Sequence, residues 1–173
     1  SASADQWSLE AELPGVSLRD VDFGAARFVA VGHGLGGDVV TSGDGRTWSR
    51  VAVGWSTGVD SIHWLGDRFV AAAGAEIWSS SDGLVWQRVG EVPVAGGVVA
   101  AGAEASRVDL AFDGARVFWG GAMQVFRSTD LATWNEAFRV DSCAQFSGLL
   151  GLYAETGLVI ASAVAVCPTP YLD

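Results

Sequence analysis

The sequence predicts an all-β fold built from repeated units, and three observations carry this prediction. A phrase with serine, aspartate and tryptophan at fixed spacing occurs three times, and its tryptophans, Trp48, Trp86 and Trp134, lie 38 and 48 residues apart. The chain of 173 residues contains 23 glycines and few apolar patterns of the helical type. Asp-Gly turns separate runs of alternating and β-branched residues. The spacing of the three tryptophans is typical of successive β-propeller blades, so we predict a four-bladed β-propeller.

The repeated phrase closes the second hairpin of each blade. Residues 75–79 and 85–89 have the composition of strands, and they flank the turn at Asp82. The serine and aspartate oxygens can accept backbone N–H bonds in such a turn, and the tryptophan can pack across the hairpin. The residues with this structural role are Ser42, Asp44, Trp48, Ser80, Asp82, Trp86, Ser128, Asp130 and Trp134.

A second hairpin lies upstream of each phrase and has an aromatic residue four positions before an arginine. The pairs are Phe23 and Arg27, Trp64 and Arg68, and Phe112 and Arg116. Each blade is therefore predicted to contain four antiparallel strands, with boundaries at 17–52, 58–90 and 106–138. A degenerate fourth copy places Tyr153 in the aromatic position.

The closing blade is predicted to span 146–173 and to be assembled from both chain ends. Its third strand is expected to begin at Val164 to Cys167. Its outer strand is expected to come from residues 6–12, because Trp7 precedes Trp48 by 41 residues, which is again one period. The whole chain, 1–173, is then a single domain in which the N-terminal strand closes the ring and protects the sheet edges. Two alternatives remain open: two copies could form one larger ring, or the sequence could be part of a longer chain.

The charge of the chain argues against two classes of partner. The net charge is −10, and all ten positive charges are arginine. Such an acidic chain repels nucleic acid and anionic lipid, so neither is an expected partner. Half of the residues are hydrophobic, but no apolar run has the length of a membrane span.

Two cysteines, Cys143 and Cys167, are compatible with one disulfide that braces the closing blade. A disulfide indicates an oxidising compartment, so we expect the protein to be secreted, periplasmic or exposed at the cell surface. Two free buried thiols are the alternative. The Cys-x-x-Cys spacing of a zinc site is missing.

The repeated phrase resembles the Asp-box, or BNR repeat, of sialidase-like propellers. The segment 42–48 is close to that motif but one residue shorter, and the third copy has Leu131 where the motif has glycine. The resemblance implies that each Asp-box lies on the outer turn between the third and fourth strands, away from the axial pocket. The three Asp-box aspartates are then structural. Calcium at these turns is the alternative, but one carboxylate per turn is a poor ligand set for it, and we expect no cofactor or metal.

Sialidase chemistry in that family uses an arginine triad, a tyrosine nucleophile with a glutamate partner, and an aspartate as acid/base. Arg27, Arg68 and Arg116 each follow a turn, so we expect them to pair with acidic neighbours at the rim. Tyr153 is expected to have a packing role in its aromatic position. We therefore assign no catalytic residue from the sequence.

Acidic residues on or near the innermost strands are candidates for an axial site. They are Asp20, Asp22, Asp60 and Asp109, and two carboxylates facing across a pocket are what a glycosidase requires. Asp20 and Asp109 occupy the same position in their repeats. The alternative is a water-filled channel lined by solvated carboxylates.

The loops between blades provide the other candidates. Trp55 lies in the connection 53–58, where it is either an exposed anchor for a ligand or a cap on the core at a blade junction. His33 begins the Gly-rich segment 33–38, which we interpret as a connection between strands. The connection 91–106 is longer and explains the spacing of 48 residues.

We interpret the chain as a non-enzymatic extracellular binding or scaffold propeller that recognises a protein or glycan through its inter-blade loops. The candidate binding residues are Trp55, His33, Asp20, Asp60 and Asp109. The alternative is a glycan-active hydrolase of the sialidase-like type with an axial acidic pocket. Association with further copies of the chain is left open.

Overall fold

The computed structural model of the protein is all-β. It describes residues 9–34, 37–55, 57–94, 108–121, 124–139, 146–156 and 158–166. Fourteen strands, β1 to β14, occur within these ranges. The same ranges contain no helix of the length and apolar character needed to cross a membrane.

The first sheet contains four antiparallel strands in chain order, as predicted for one repeat. The strands are β1 (Leu18–Gly24), β2 (Arg27–Gly32), β3 (Asp38–Ser42) and β4 (Ser49–Arg50). Alternating exposure along β1 and nearly continuous burial along β2 and β3 show that the middle strands carry the core.

The second and third sheets repeat this arrangement, so the prediction of four antiparallel strands per repeat is confirmed for three repeats. The strands of the second sheet are β5 (Ser61–Trp64), β6 (Phe69–Ala73), β7 (Glu76–Ser80) and β8 (Gln87–Glu91). Those of the third sheet are β9 (Asp109–Phe112), β10 (Val117–Gly121), β11 (Gln124–Ser128) and β12 (Asn135–Arg139).

The fourth sheet differs from the prediction. It contains two long strands, β13 (Phe146–Glu155) and β14 (Leu158–Val166), paired antiparallel. Val164 therefore belongs to the second strand of the hairpin and does not begin a third, because β14 runs on past the length of its counterparts. Residues 9–17 form no strand, so the predicted N-terminal closure is not seen in the described ranges. Trp7, Cys143 and Cys167 lie outside those ranges.

Consecutive sheets share apolar clusters, which hold them face to face in chain order. Val29 and Val31 of the first sheet pack with Ile62 and Phe69 of the second. A second cluster joins the second and third sheets and includes Trp119, whose indole Nε1–H donates to the Gly74 carbonyl oxygen at 3.0 Å. The third sheet contributes Ala111, Phe118 and Val125 to a smaller cluster, against which Leu152 and Ala154 of the last sheet pack.

The three outer turns contain the hydrogen bonds expected from their serine and aspartate. In the first turn, Asp44 Oδ1 accepts the N–H groups of Arg46 at 2.8 Å and Thr47 at 2.7 Å. Ser42 Oγ donates to Asp44 Oδ1 and accepts the N–H of Gly45. The second and third turns repeat this pattern around Asp82 and Asp130. Each turn is thus closed by its own side chains.

One position in each outer turn has a left-handed backbone. Gly45 and Gly83 both have φ of 74°, and Leu131 has φ of 66° at the same place in the third turn. Leucine is disfavoured in this conformation by about 1 kcal/mol. The Leu131 side chain is buried in the cluster between the second and third sheets, and this burial offsets the backbone cost.

Candidate functional site

The first strands of all four sheets, β1, β5, β9 and β13, line one cavity of about 360 Å³. Its polar lining comes from a small number of side chains, and two aromatic rings complete it. These residues are Asp20, Asp22, Ser61, His63, Asp109, Phe112 and Tyr153. Of the acidic candidates, Asp20 and Asp109 therefore line the same cavity, whereas Asp60 is not part of its lining.

The inner strands are joined by hydrogen bonds that we call clasps: a side-chain oxygen on one inner strand accepts a backbone N–H from the next. Three junctions have one at the same position. The bonds run from Ile62 N–H to Asp20 Oδ2 (2.9 Å), from Leu110 N–H to Ser61 Oγ (3.2 Å) and from Leu152 N–H to Asp109 Oδ2 (2.7 Å). Because an unpaired buried N–H is costly, these acceptors hold the sheets together.

The Ser61 hydroxyl lies between two carboxylates. Its Oγ is 3.1 Å from Asp20 Oδ2 and 3.1 Å from Asp109 Oδ1. A hydroxyl has one proton and can donate to only one of these acceptors at a time. The two aspartates are thus linked through one serine and are each also bonded to a backbone N–H of the adjoining sheet.

A second position follows two residues later on each inner strand, and Tyr153 occupies it on β13. Tyr153 pairs with Ile160, and Glu155 pairs with Leu158 at the turn. In the first sheet the pair that flanks the turn is Gly24 and Arg27, with Phe23 just before it. Ala154 therefore corresponds to Phe23, and the prediction that Tyr153 fills the aromatic position is wrong. The turn of the last hairpin lies one residue later in the chain than an alignment of Tyr153 with Phe23 requires.

The residues at this second position on β1, β5 and β13 bring three polar side chains to the cavity, those of Asp22, His63 and Tyr153. Asp22 Oδ2 accepts the Trp64 N–H at 2.6 Å as a further clasp, and it lies 3.8 Å from His63 Nδ1. The Tyr153 hydroxyl donates to Glu155 Oε2 at 3.0 Å. This bond to a carboxylate raises the pKa of Tyr153 above its ordinary value.

The three arginines that resemble a triad in the sequence lie at the rim. Arg68 pairs with Asp67 and Arg116 with Asp113, each at 2.7 Å, in agreement with the expected acidic neighbours. Arg27 lies beside the outer turn of the second sheet, where its charge helps to lower the pKa of Asp82 after the larger effect of the turn's own N–H groups. No arginine lines the cavity in the part of the chain that the structure describes.

The structure distinguishes between the two roles that the sequence left open for Trp55. Only 4% of Trp55 is exposed, and its ring packs against Trp78 at 5.8 Å and Trp86 at 5.3 Å. It is thus a cap on the core between the first two sheets and not an exposed anchor. The connection 91–106 is described only as far as Val94.

His33 and Asp60 meet at the same junction. His33 Nε2 lies 2.8 Å from Asp60 Oδ1, and the imidazole lies over Gly58, where a Cβ would be 2.6 Å from the ring. Asp60 is nearly buried, whereas 28% of the His33 side chain is exposed. The pairing joins the β2–β3 connection to the segment that leads into β5, and it leaves the imidazole accessible from solvent.

The aspartates of the outer turns have lowered pKa values, mainly because of groups in their own turns. The backbone N–H groups of Thr47 and Arg46, with Ser42, lower the pKa of Asp44 to about 2. The pKa values of Asp82 and Asp130 are also lowered by N–H groups of their own turns. The described ranges contain no group of three or more His, Cys, Asp or Glu side chains arranged to hold a metal ion.

The clasps are the feature that the sequence did not indicate. The donor of each is a backbone N–H of Ile62, Leu110 or Leu152, and an apolar side chain gives no sign that its N–H is used in this way. The available signal was that Asp20 and Asp109 share a position in their repeats.

No protein-family model matches the sequence, and no curated protein matches it. Solved structures do share the fold. The computationally designed Ika4 protein is 14% identical with a TM-score of 0.58, and the match covers 93% of this chain and 99% of that one. The designed Ika8 protein is 15% identical with a TM-score of 0.56, covering 84% of this chain and 42% of that one. A protein of unknown function from Bacteroides thetaiotaomicron is 12% identical with a TM-score of 0.53, covering 79% and 35%.

Proposed function

We propose that the chain is a non-enzymatic binding or scaffold propeller whose sheets are the blades and whose inter-blade connections recognise a protein or glycan. The observation that supports this proposal is the use of the inner-strand acids. Asp20, Asp22 and Asp109 each accept a backbone N–H of an adjoining sheet, so their charge serves the assembly of the sheets.

Glycoside hydrolysis places different demands on a pair of carboxyl groups. One must give up a proton to the leaving oxygen, while the other attacks the sugar or activates water. Asp20 and Asp109 share the Ser61 hydroxyl. Protonating either carboxylate would weaken the hydrogen bond that it accepts from a backbone N–H of the adjoining sheet. This arrangement favours a structural role for them over a catalytic one.

The binding surface that we propose lies at the junction of the first and second sheets. There Asp60 is paired with the partly exposed His33 imidazole, and Trp55 is buried in the core of the same junction. A ligand with hydroxyl or amide groups could bond to such a fixed polar group. The proposal includes an extracellular, periplasmic or cell-surface location and a disulfide between Cys143 and Cys167, which a native mass spectrum with and without reductant would test.

A glycan array combined with an aryl-glycoside assay tests the function. We expect binding without turnover, and we expect His33→Ala to reduce the binding. Asp67→Ala is the matched control, since Asp67 lies at an exposed rim turn and pairs with its neighbour Arg68. Turnover by the wild type that Asp109→Asn abolishes would contradict a non-enzymatic role.

The second candidate is a glycan-active hydrolase with an axial pocket, and one observation favours it. Tyr153 lines the cavity together with Asp22 and His63, and its hydroxyl is bonded to Glu155, which lies outside the lining. The raised pKa of Tyr153 makes it a weak nucleophile at neutral pH. Aryl-glycoside turnover that Tyr153→Phe removes, while Phe112→Leu keeps it, would favour this candidate over the first.

A further inference from the structure

The first sheet exposes a face that is covered in the other sheets. Val21 on β1 is 53% exposed, whereas the residues at the same place on β5 and β9, Ile62 and Leu110, are 2% and 5% exposed. The preceding sheet buries Ile62 and Leu110. Phe23, two residues after Val21, is 51% exposed. The β1 face thus has the character of a face that packs on a neighbouring sheet, and none of the described residues supplies that sheet.

The last sheet also exposes an apolar face, on the side that points away from the third sheet. Tyr153 pairs with Ile160, and Leu158 lies on the same side, and these three residues are 53%, 52% and 52% exposed. Leu152 and Ala154, on the other side of β13, pack on the third sheet. The row of sheets therefore ends in two apolar faces, and exposed apolar patches of this kind mark interaction surfaces.

The hydrogen bonds show the same open junction. The N–H groups of Ile62 and Trp64 are each bonded to an aspartate of the preceding inner strand. The equivalent N–H groups of Val21 and Phe23 are bonded instead to the side chains of Asp20 and Asp22, their own neighbours in the chain. On β13, Gly151 occupies the clasp position and has no side chain to offer. No clasp joins β13 to β1 in the described ranges.

We propose that a second copy of this chain covers both faces: the last sheet of each copy packs on β1 of the other. This proposal rests on the propeller assignment of the proposed function. The two contacts are equivalent, and together they close a ring of eight sheets about a two-fold axis. Each copy then provides half of the wall of a shared axial cavity, so Asp20 and Asp22 of both copies face one space.

The two exposed faces complement each other, and this favours a second copy as the partner. Within the described ranges, β1 lacks a preceding sheet and β13 lacks a following one, whereas each internal junction brings these two kinds of face together. One copy therefore supplies both of the sheets that the other lacks.

Sedimentation velocity of the wild type over a hundredfold concentration range tests the proposal. We expect a dimer that dissociates on dilution. Phe23→Glu alters one face and Ile160→Glu the other, and each variant alone should be a monomer at concentrations where the wild type is dimeric. Phe138→Glu is the matched control, because Phe138 on β12 is 54% exposed but lies at neither face, and it should remain dimeric.

Mixing the two variants distinguishes this head-to-tail arrangement from a symmetric patch. In a mixed pair, one contact carries both substitutions and the other carries none. We therefore expect the mixture of Phe23→Glu and Ile160→Glu chains to form a dimer that neither forms alone. Failure of the mixture to associate would overturn the proposed geometry.

A measurement on the wild type guards against variants that fail to fold. Hydroxyl-radical footprinting should show Phe23 and Tyr153 protected at high concentration and oxidised at low concentration, with Phe138 unchanged. A monomer at every concentration, or a dimer in which Phe23 and Tyr153 stay reactive, would overturn the proposal. Either result leaves the glycan-array outcome unaffected, so failure here differs from failure of the proposed function.

Discussion

The outer turns and the inner strands of this molecule use aspartate and serine in contrasting ways. In the outer turns, Ser80 and Asp82 bond to N–H groups no more than three residues away. On the inner strands, Asp109 and Ser61 bond to N–H groups 43 and 49 residues away. The same chemistry thus closes a local turn in one region and joins neighbouring sheets in the other.

This difference determines what each region contributes to stability. A local hydrogen bond forms as soon as its turn forms and stabilises one hairpin. A clasp can form only when two sheets have already packed, so it makes the stability of one sheet depend on the next. We therefore expect substitutions on the inner strands to affect two sheets and those in the outer turns to affect one.

Asp109→Ala should have the largest effect. It leaves the Leu152 N–H without its acceptor and removes a partner of Ser61, so we expect a loss of about 3 kcal/mol in the free energy of unfolding. Urea unfolding measures this loss, and hydrogen exchange should show faster opening of β13. Asp67→Ala at the exposed rim should cost less than about 0.5 kcal/mol. Equal effects at the two sites would show that the clasp does not join the sheets.

Gly83→Ala should destabilise the protein by about 2 kcal/mol. Both the left-handed backbone at φ of 74° and a Cβ placed 2.5 Å from Val29 Cγ2 oppose alanine there. Gly45→Ala has the same φ but a nearest contact of 3.6 Å, so it should cost about 1 kcal/mol. Thermal unfolding of the matched pair separates the contact with the neighbouring sheet from the backbone cost, and equal losses would mean that the contact relaxes freely.

Ser80→Ala should cost about 1 kcal/mol, because the buried hydroxyl accepts the Gly83 N–H and donates to Asp82. The effect should stay local, with faster hydrogen exchange in the β7–β8 hairpin only. Ser49→Ala, at an exposed position on β4, is the control and should leave stability within about 0.5 kcal/mol of the wild type. Loss of protection in the third sheet would break the distinction between the two regions.

The smallest effect concerns pH. Because the folded pKa of Asp44 is lowered from 3.8 to about 2, the unfolded chain takes up this proton first. The stabilisation is present above pH 3.8 and is lost as the pH falls towards 2. Unfolding midpoints measured across this range should fall less steeply in Asp44→Asn than in the wild type. Parallel curves would show that the turn does not stabilise the carboxylate.

The sequence predicted the local part of this fold and missed the long-range part. The turn at Asp82 and its flanking strands could be predicted, because the residues that close the turn are the same residues that define the repeated motif. The clasp at Leu110 could not, because its donor is a backbone group and its acceptor, Ser61, is far away in the chain. Tyr153 was assigned one position off, since its hairpin turns later than the repeat period requires. The burial of Trp55 depended on Trp78 and Trp86 coming together in space.

Each clasp constrains only one of its two partners. The accepting residue must place a side-chain oxygen within hydrogen-bond distance of the N–H on the next inner strand. The donating position can hold any amino acid other than proline. Ile62, Leu110 and Leu152 could change identity without breaking the link. A duplicated unit inserted beside one with an accepting side chain could therefore form this hydrogen bond without a matching substitution at the donating position. The hydrogen-bonded part of each junction thus tolerates duplication of a unit, while the apolar clusters determine how well the copies pack.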